Sequence, residues 1–305
     1  MTTTPLATTT SSVTEVLASG LTRRWEIDPL FAARTTYQQM LIGRTAQGVT
    51  LFCGDDDSNM ERQSAELSQL TYHEALIVPP LALASQLFRV LIIGSSEGVA
   101  TQIALQAGAA HVDHVDIDLE CVEACAEHLP YGYSPADVQA ALAKTGRAHL
   151  HAQDGHRFVQ ERLVDGTRYD VIVIDLPDES PGSDAQHNRL YAVDFLMSCK
   201  DLLAPGGVVS TQAGCPTLWR QKTLRTSLDR FKTLFPSVLC FSSWEHEWAF
   251  VTSSPDASRS LPAELQQRLP HLAYQPRTMD AASVASAVVL PYHVANQDVR
   301  PWASA

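Results

Sequence analysis

The chain predicts an α/β protein: a doubly wound, mostly parallel, Rossmann-like sheet of about seven strands, preceded by a small antiparallel β-region. Two observations carry this expectation. From residue 89 onward, short apolar runs alternate with longer helical segments, the pattern of a parallel sheet whose crossovers are helices. The strand runs end in glycines or acids, as at Val90-Leu-Ile-Ile-Gly94 and Val171-Ile-Val-Ile-Asp175, where an open α/β sheet binds its ligands.

In chain order, residues 1–24 read as a polar disordered tail and a short lead-in helix. Residues 25–80 hold the small β-region. Segments 37–43 and 48–53 read as strands joined by Arg44-Thr-Ala-Gln47, and a Gly-Asp-Asp-Asp-Ser-Asn turn follows at 54–59. Residues 61–88 read as helical, interrupted at Val78-Pro-Pro80. The main domain, 81–255, has expected parallel strands at 89–93, 112–117, 147–152, 169–175, 207–212, 236–241 and 247–253. Helices are expected at 98–108, 119–128, 134–144, 155–164, 188–203 and 216–231. A C-terminal extension, 256–305, carries one expected helix at 261–269, then a Pro- and aromatic-containing remainder that no pattern places.

With 305 residues the chain can bury a core of useful size. Its formal net charge of −12 disfavours nucleic acid, which needs a basic footprint, and is compatible with cationic or neutral small-molecule partners. The six cysteines form no C-x-x-C pair and read as reduced thiols of a cytoplasmic protein. No apolar run is long enough to span a bilayer, and MTTTPLATTTSS lacks the apolar centre of a secretory signal.

The first strand runs into Gly94-Ser-Ser-Glu-Gly98, which fits two incompatible patterns. One is the G-x-S-x-G turn that presents a nucleophilic serine, here Ser96. The other is the glycine-rich turn of a nucleotide-binding βα unit, with Glu97 as a ligand contact. The second strand ends in Asp116-Ile-Asp118, about twenty residues on, where an acid meets a ribose diol. Asp154-Gly155 follows the third strand and Asp175-Leu-Pro-Asp178 closes the fourth. Four successive strands thus deliver Glu97, Asp116, Asp154 and Asp175 to one edge. Such an acidic ring repels a pyrophosphate and so argues against NAD. It suits a cationic, phosphate-free nucleoside such as S-adenosylmethionine or its decarboxylated form. The serine reading could nominate Asp175 and His246 as its partners, but it lacks an upstream oxyanion sequence.

These residues resemble the polyamine aminopropyltransferases, the spermidine synthase family, from about Thr36 to Ser253. Tyr37-Gln38 is similar to the family's S-x-Y-Q, and Gln63 precedes Tyr72-His73-Glu74 at its glutamine-to-Y-H-E interval. Gly94–Gly98 stands where the family has G-G-G-D-G. Asp116-Ile-Asp118, Asp154-Gly155 and Asp175-x-x-Asp178 follow its acid-x-Asp, Asp-Gly and D-x-x-D-P. Thr211-Gln-Ala-Gly-Cys-Pro216 and Trp248-Ala-Phe-Val251 resemble its two closing strands.

The resemblance implies that Gln38, Gly94, Glu97, Gly98, Asp116, Asp118, Asp154 and Gly155 hold the nucleoside donor, Glu97 on the amine of its alkyl arm. Gln63, Tyr72, His73 and Asp178 would border the acceptor, and Asp175 would be the catalytic base. It implies aminopropyl transfer to a small amine, release of methylthioadenosine, no metal, and a homodimer. The chain departs from the pattern at Asn59 and Met60, where the family's Leu-Asp-Gly before the glutamine is missing, at Ser95, Ser96 and Glu97, at Glu179 in place of Pro, and at Ser242 and Ser243 in place of a polyamine-contacting Tyr. Most departures fall on the acceptor side, so the acceptor and the donor's carboxylation stay open. A methyltransferase, an aminocarboxypropyl transfer or cyclisation, and a non-catalytic binding protein are the alternatives.

Three further features invite a metal reading. In Trp244-Glu-His-Glu-Trp248, strand alternation would put His246 opposite its flanking acids. Gly54–Asn59 lacks the further ligands of a calcium loop. His149 and His151 alternate on a strand and read as packing or surface residues.

Overall fold

A computed structural model describes residues 4–5, 11–56, 60–179, 185–218, 220–242 and 247–296. The N-terminal part is all β. Strands β1 (Thr4–Pro5), β4 (Asp28–Arg34), β5 (Gln39–Thr45), β6 (Gly48–Gly54) and β7 (Met60–Ala65) form an antiparallel sheet in the order β1-β4-β5-β6-β7. A separate hairpin, β2 (Ser12–Ala18) and β3 (Leu21–Glu26), packs Val13 and Trp25 onto Leu41, Phe52 and Met60 of that sheet.

The hairpin replaces the expected lead-in helix. Val13 and Glu15 are buried while Thr14 and Val16 are exposed, a period of two. The inward Glu15 accepts from the Trp25 indole N–H at 3.0 Å, so a charged residue occupies a strand's core face. Of the expected disordered tail, Thr4–Pro5 pairs with β4, and the rest of residues 1–10 lies outside the described residues.

Strand β7 likewise replaces the expected start of a helix at 61. Arg62 and Ser64 are buried, and Arg62 forms an ion pair with Glu247. Helix α1 (Gln69–Leu83) follows and runs unbroken through Pro79 and Pro80, where an interruption was expected. Pro80 has no N–H to give the Leu76 carbonyl. Ser210 Oγ donates to that carbonyl instead, at 3.3 Å.

The main sheet has the order β10-β9-β8-β11-β12-β14-β13. Its strands are β8 (Arg89–Gly94), β9 (His111–Asp116), β10 (Ala148–Ala152), β11 (Tyr169–Asp175), β12 (Leu203–Gln212), β13 (Ser237–Ser242) and β14 (Ala249–Ser254). Register is set by apolar pairs, Val90 lying beside both Val112 and Val171. The sheet is mostly parallel, as expected, but segment 247–253, read as one of its parallel strands, forms β14 and runs antiparallel to both β12 and β13. The short connection from β13 has no room for a crossover helix, so the chain turns back.

Helices cover both faces. On one lie α1 and α2 (Val99–Gln106), with α8 (Leu261–Arg268) and α9 (Ala281–Ala287) beyond them. On the other lie α5 (Gly155–Asp165), α6 (Val193–Asp201) and α7 (Lys222–Leu234). The expected helix 188–203 is a 3-10 turn, Gln186–Tyr191, followed by α6, and the expected helix 216–231 begins only at Lys222. α4 (Pro135–Leu142) packs beside β10, and α10 (Tyr292–Ala295) lies near the chain end. α3 (Leu119–His128) packs Cys121, Ala124, Cys125 and Leu129 onto Met40, Ile42, Leu51 and Cys53. This contact holds the small sheet over the carboxyl ends of the main strands. None of the described helices is long and apolar enough to cross a membrane.

The C-terminal remainder is clasped to α1. Glu74, fully buried, accepts from Tyr274 Oη at 2.6 Å, from the Arg277 and Thr278 amides at 2.8 and 2.7 Å, and from Thr278 Oγ1 at 2.6 Å. Arg259 and Arg268 donate to the Leu83 carbonyl at the end of α1, at 2.6 and 3.1 Å. Such cations suit the negative end of a helix. Glu74→Gln turns an acceptor into a donor facing two amides. It is expected to lower stability by about 3 kcal/mol in urea unfolding, with Tyr274→Phe costing about 1.

Candidate active site

The strand ends and the small sheet enclose a cavity of about 280 Å³. Its floor is the turn after β8. Gly94 has φ +82°, and a Cβ there would lie 2.0 Å from the Asp175 carbonyl oxygen. Ser95 also sits in the left-handed region, at φ +68°, and its amide donates to that same carbonyl at 3.1 Å. A non-glycine residue in this conformation stores about 1 kcal/mol of strain. Beneath the turn, burial keeps His114 neutral, its pKa pushed down to about 4, while its Nε2 lies 2.9 Å from the Gly94 carbonyl.

The acids expected at the strand ends do converge. β10, β9, β8 and β11 are four adjacent strands, and Asp154, Asp116, Glu97 and Asp175 all line the cavity. Asp116 is buried and accepts from Ser96 Oγ at 2.7 Å and from the Asp118 amide at 2.9 Å. Burial pushes its pKa up to about 7. Asp118 caps α3 and accepts from Thr35 Oγ1 and Gln38 Nε2 at 2.8 and 3.0 Å, and burial raises it to about 6. Glu97 is also raised, mainly by burial. Asp154 caps α5 through the Arg157 amide at 2.9 Å and is held on its other oxygen by Gln186 and Arg189. A Cβ on Gly155 would meet Ile93 at 2.7 Å, so this glycine is required by packing.

Asp175 Oδ1 accepts from the Tyr72 hydroxyl at 2.5 Å, and burial pushes the Tyr72 hydroxyl's own pKa well up. The Tyr72 ring meets Trp248 and Phe250 edge-on. Asp178 accepts from Gln212 Nε2 at 2.6 Å and lies 3.6 Å from Arg220. Gln63 lines the same region beside Glu61.

Two expected site residues are not on the cavity wall. His73 is 1 % exposed, with Nδ1 2.7 Å from the Gln69 carbonyl and Nε2 4.0 Å behind Glu97. Successive helix residues point about 100° apart, so Tyr72 faces the cavity while His73 and Glu74 turn away from it. Gly98 starts α2 and packs under the Tyr133 ring, which a Cβ would meet at 2.3 Å.

The wall also includes Glu61, Gln212, Trp248, Cys53 and Cys121, none of which was singled out as a site residue. Gln212 and Trp248 sit within strand-end segments that match the family pattern, a usable signal. Glu61 gave none. Nor did Ser95 Oγ, which is buried without a hydrogen-bond partner. All six cysteines are buried, and none forms a disulfide.

Ser96 does not behave as a nucleophile. Its hydroxyl donates to a carboxylate, and the non-glycine residue of the turn in the left-handed region is Ser95. His246, the nominated partner, and Asp57–Asn59 of the Gly-Asp turn lie outside the described residues.

Among the described residues lining the cavity, eight are carboxylic acids, namely Asp55, Glu61, Glu97, Asp116, Asp118, Asp154, Asp175 and Asp178, and none is Lys or Arg. Fold and site together define a class: a Rossmann-like protein whose strand-end pocket is lined by acids. Residues 69–250 match the spermine/spermidine synthase domain. The chain is 35 % identical over 236 residues to polyamine aminopropyltransferase 2 of Hyperthermus butylicus, covering 75 % of this chain and 72 % of that protein. It is 29 % identical to polyamine aminopropyltransferase 1 of Streptomyces coelicolor, covering 90 % of this chain but 49 % of that longer protein. A crystal structure of spermidine synthase in complex with the transition-state analogue AdoDATO superposes with a TM-score of 0.77 at 17 % identity, covering 95 % of each chain. The spermidine synthase of Thermotoga maritima gives 0.74 at 16 %, covering 95 % of this chain and 94 % of that one. The chain belongs to the spermine/spermidine synthase family and is a transferase of the aminopropyltransferase type.

Proposed function

We propose that the protein transfers the aminopropyl group of decarboxylated S-adenosylmethionine to a small amine and releases methylthioadenosine. The observation that carries this is the charge of the cavity: eight acids line it, with no Lys or Arg among the described lining residues. Both reactants are cations, one a sulfonium with an ammonium arm and the other an amine. S-adenosylmethionine itself would bring an α-carboxylate beside Glu97 and Asp175 without a counter-ion. An unpaired buried charge costs several kcal/mol, so the pocket favours the decarboxylated donor.

In this reading Asp116 accepts from the ribose diol. Asp154 meets the adenine edge, exchanging its Arg189 and Gln186 contacts for the ligand. Glu97 takes the ammonium of the aminopropyl arm. Asp178, Glu61 and Gln63 surround the acceptor. An ammonium cannot attack, because its lone pair carries a proton. Asp175 takes that proton, held in orientation by the Tyr72 hydroxyl. The freed lone pair then attacks the carbon bonded to sulfur. The C–S bond breaks, its electrons neutralise the sulfonium, and a thioether leaves. Positioning supplies much of the acceleration, since the leaving group needs no proton.

Asp175→Asn keeps the shape and removes the base. The expected result is a fall in kcat of about 10²–10⁴-fold with donor binding retained, measured by steady-state kinetics with decarboxylated S-adenosylmethionine and putrescine. Unchanged turnover contradicts the role given to Asp175.

Asp116 predicts a pH dependence. Its folded pKa, about 7, is raised above that of an unfolded aspartate. The folded protein therefore binds the extra proton, and this group's favourable contribution is full at low pH and shrinks as pH rises towards 7. The diol needs the carboxylate, so ligand binding runs the other way. Methylthioadenosine, which has no ammonium of its own, is expected to bind about tenfold more tightly at pH 8 than at pH 6. Calorimetry checks this, with Asp116→Asn flattening the profile.

A further inference from the structure

Away from the cavity, the outer edge of the main sheet carries a second cluster of titratable groups. β10 is the edge strand, and β9 lies beside it with Asp113 directly opposite His149. Alternate residues of a strand share a face. Asp113 therefore looks out on the same side as His149 and His151. This is also the α5 side, where the His151 ring lies 4.8 Å from that of Phe158. Further along these strands, that face is filled by apolar residues such as Val115. Here it holds a carboxylate that is only 8 % exposed.

The arrangement around that carboxylate is directional. Asp113 Oδ1 lies 2.8 Å from His151 Nε2 and 4.0 Å from His149 Nδ1. Its other oxygen accepts from the buried Tyr169 hydroxyl at 2.8 Å, which fixes the plane of the carboxylate. One ligand atom from each of the three residues lies within 4.8 Å of the others. Ligand atoms about 2.0–2.2 Å from a tetrahedral zinc ion lie about 3.4 Å apart. The two nitrogen–oxygen separations bracket that value, so small ring rotations bring both imidazoles to a common centre.

The geometry points to a binding site for one divalent transition-metal ion of the zinc class, held by His149 Nδ1, His151 Nε2 and Asp113 Oδ1. Two imidazoles and a carboxylate are a donor set that such ions prefer over calcium or magnesium. Both histidine side chains are partly exposed, 29 % and 15 %, so a fourth position is open to water. The ion takes the place of the proton between His151 and Asp113, and that proton passes to the other ring nitrogen or to solvent. Tyr169 acts as the outer support that metal-bound carboxylates commonly have. Bound there, the ion cross-links the edge strand to its neighbour. These are the strands that lead to Asp154 and Asp116, so the site braces two walls of the cavity from outside. It stands independently of the proposed transfer reaction.

The untagged full chain, stripped with chelator, is titrated with Co²⁺ as a visible probe and then with Zn²⁺ in competition. One equivalent is expected to bind with the intense visible absorption of low-coordinate Co²⁺, and Zn²⁺ is expected to displace it. His149→Ala combined with His151→Ala is expected to abolish that absorption. Tyr169→Phe is expected to weaken binding about 10–100-fold. If the double variant folds poorly, His149→Gln, at the most exposed of the three positions, gives the same comparison in a milder form. Absence of saturable one-to-one binding overturns the proposal. So does binding of equal strength in the histidine variants, which would mark only adventitious uptake by other histidines.

Discussion

Holding many carboxylates in one small cavity without a lining cation is the constraint around which this molecule is built. Buried charge is costly unless it is hydrogen-bonded. The structure meets the cost largely with neutral donors. Asp116 is held by a hydroxyl and an amide, Asp118 by a hydroxyl and a carboxamide, and Asp175 by a phenol. Among the described residues, Arg189 and Arg220 reach Asp154 and Asp178 from outside the lining wall. The interior is thereby left negative, which explains why burial raises Asp116, Asp118 and Glu97 together.

The fold serves that arrangement. Parallel strands β10, β9, β8 and β11 deliver one acid each because their carboxyl ends share an edge. The turn after β8 must come so close to the Asp175 backbone that a side chain at Gly94 cannot fit. Helix α3 packs against the small sheet and brings Gln38, Glu61 and Gln63 over the opening. On the face that α1 and α2 cover, Glu74 ties the C-terminal segment to α1, the helix that aims Tyr72 at Asp175. The Y-H-E run therefore splits into three functions: one residue on the cavity, one behind Glu97, and one in the clasp.

Much of this was legible in the residues. The parallel strands announce themselves as Val- and Ile-rich runs, and their terminal acids can be counted from sequence. What could not be read shares a physical cause, polar residues doing core work. Glu15 and Arg62 face inward on β2 and β7, so hydrophobic alternation fails there. Pro79 and Pro80 sit inside a helix because Ser210, more than a hundred residues away, takes over a freed carbonyl. Glu61 and Arg220 reach Asp178's neighbourhood through tertiary folding, which no local pattern encodes. The Y-H-E resemblance implies that both Tyr72 and His73 border the acceptor, but helix geometry turns His73 away from the cavity.

The account's central claim is that this acidic pocket passes a three-carbon amine from a decarboxylated sulfonium nucleoside to another amine. Incubation of the protein with putrescine and either decarboxylated or intact S-adenosylmethionine, followed by mass analysis of the released nucleoside, tests it most directly. The account predicts methylthioadenosine and an aminopropylated amine from the decarboxylated donor, and little turnover of the intact one. Release of S-adenosylhomocysteine, or consumption of the intact donor alone, would contradict it.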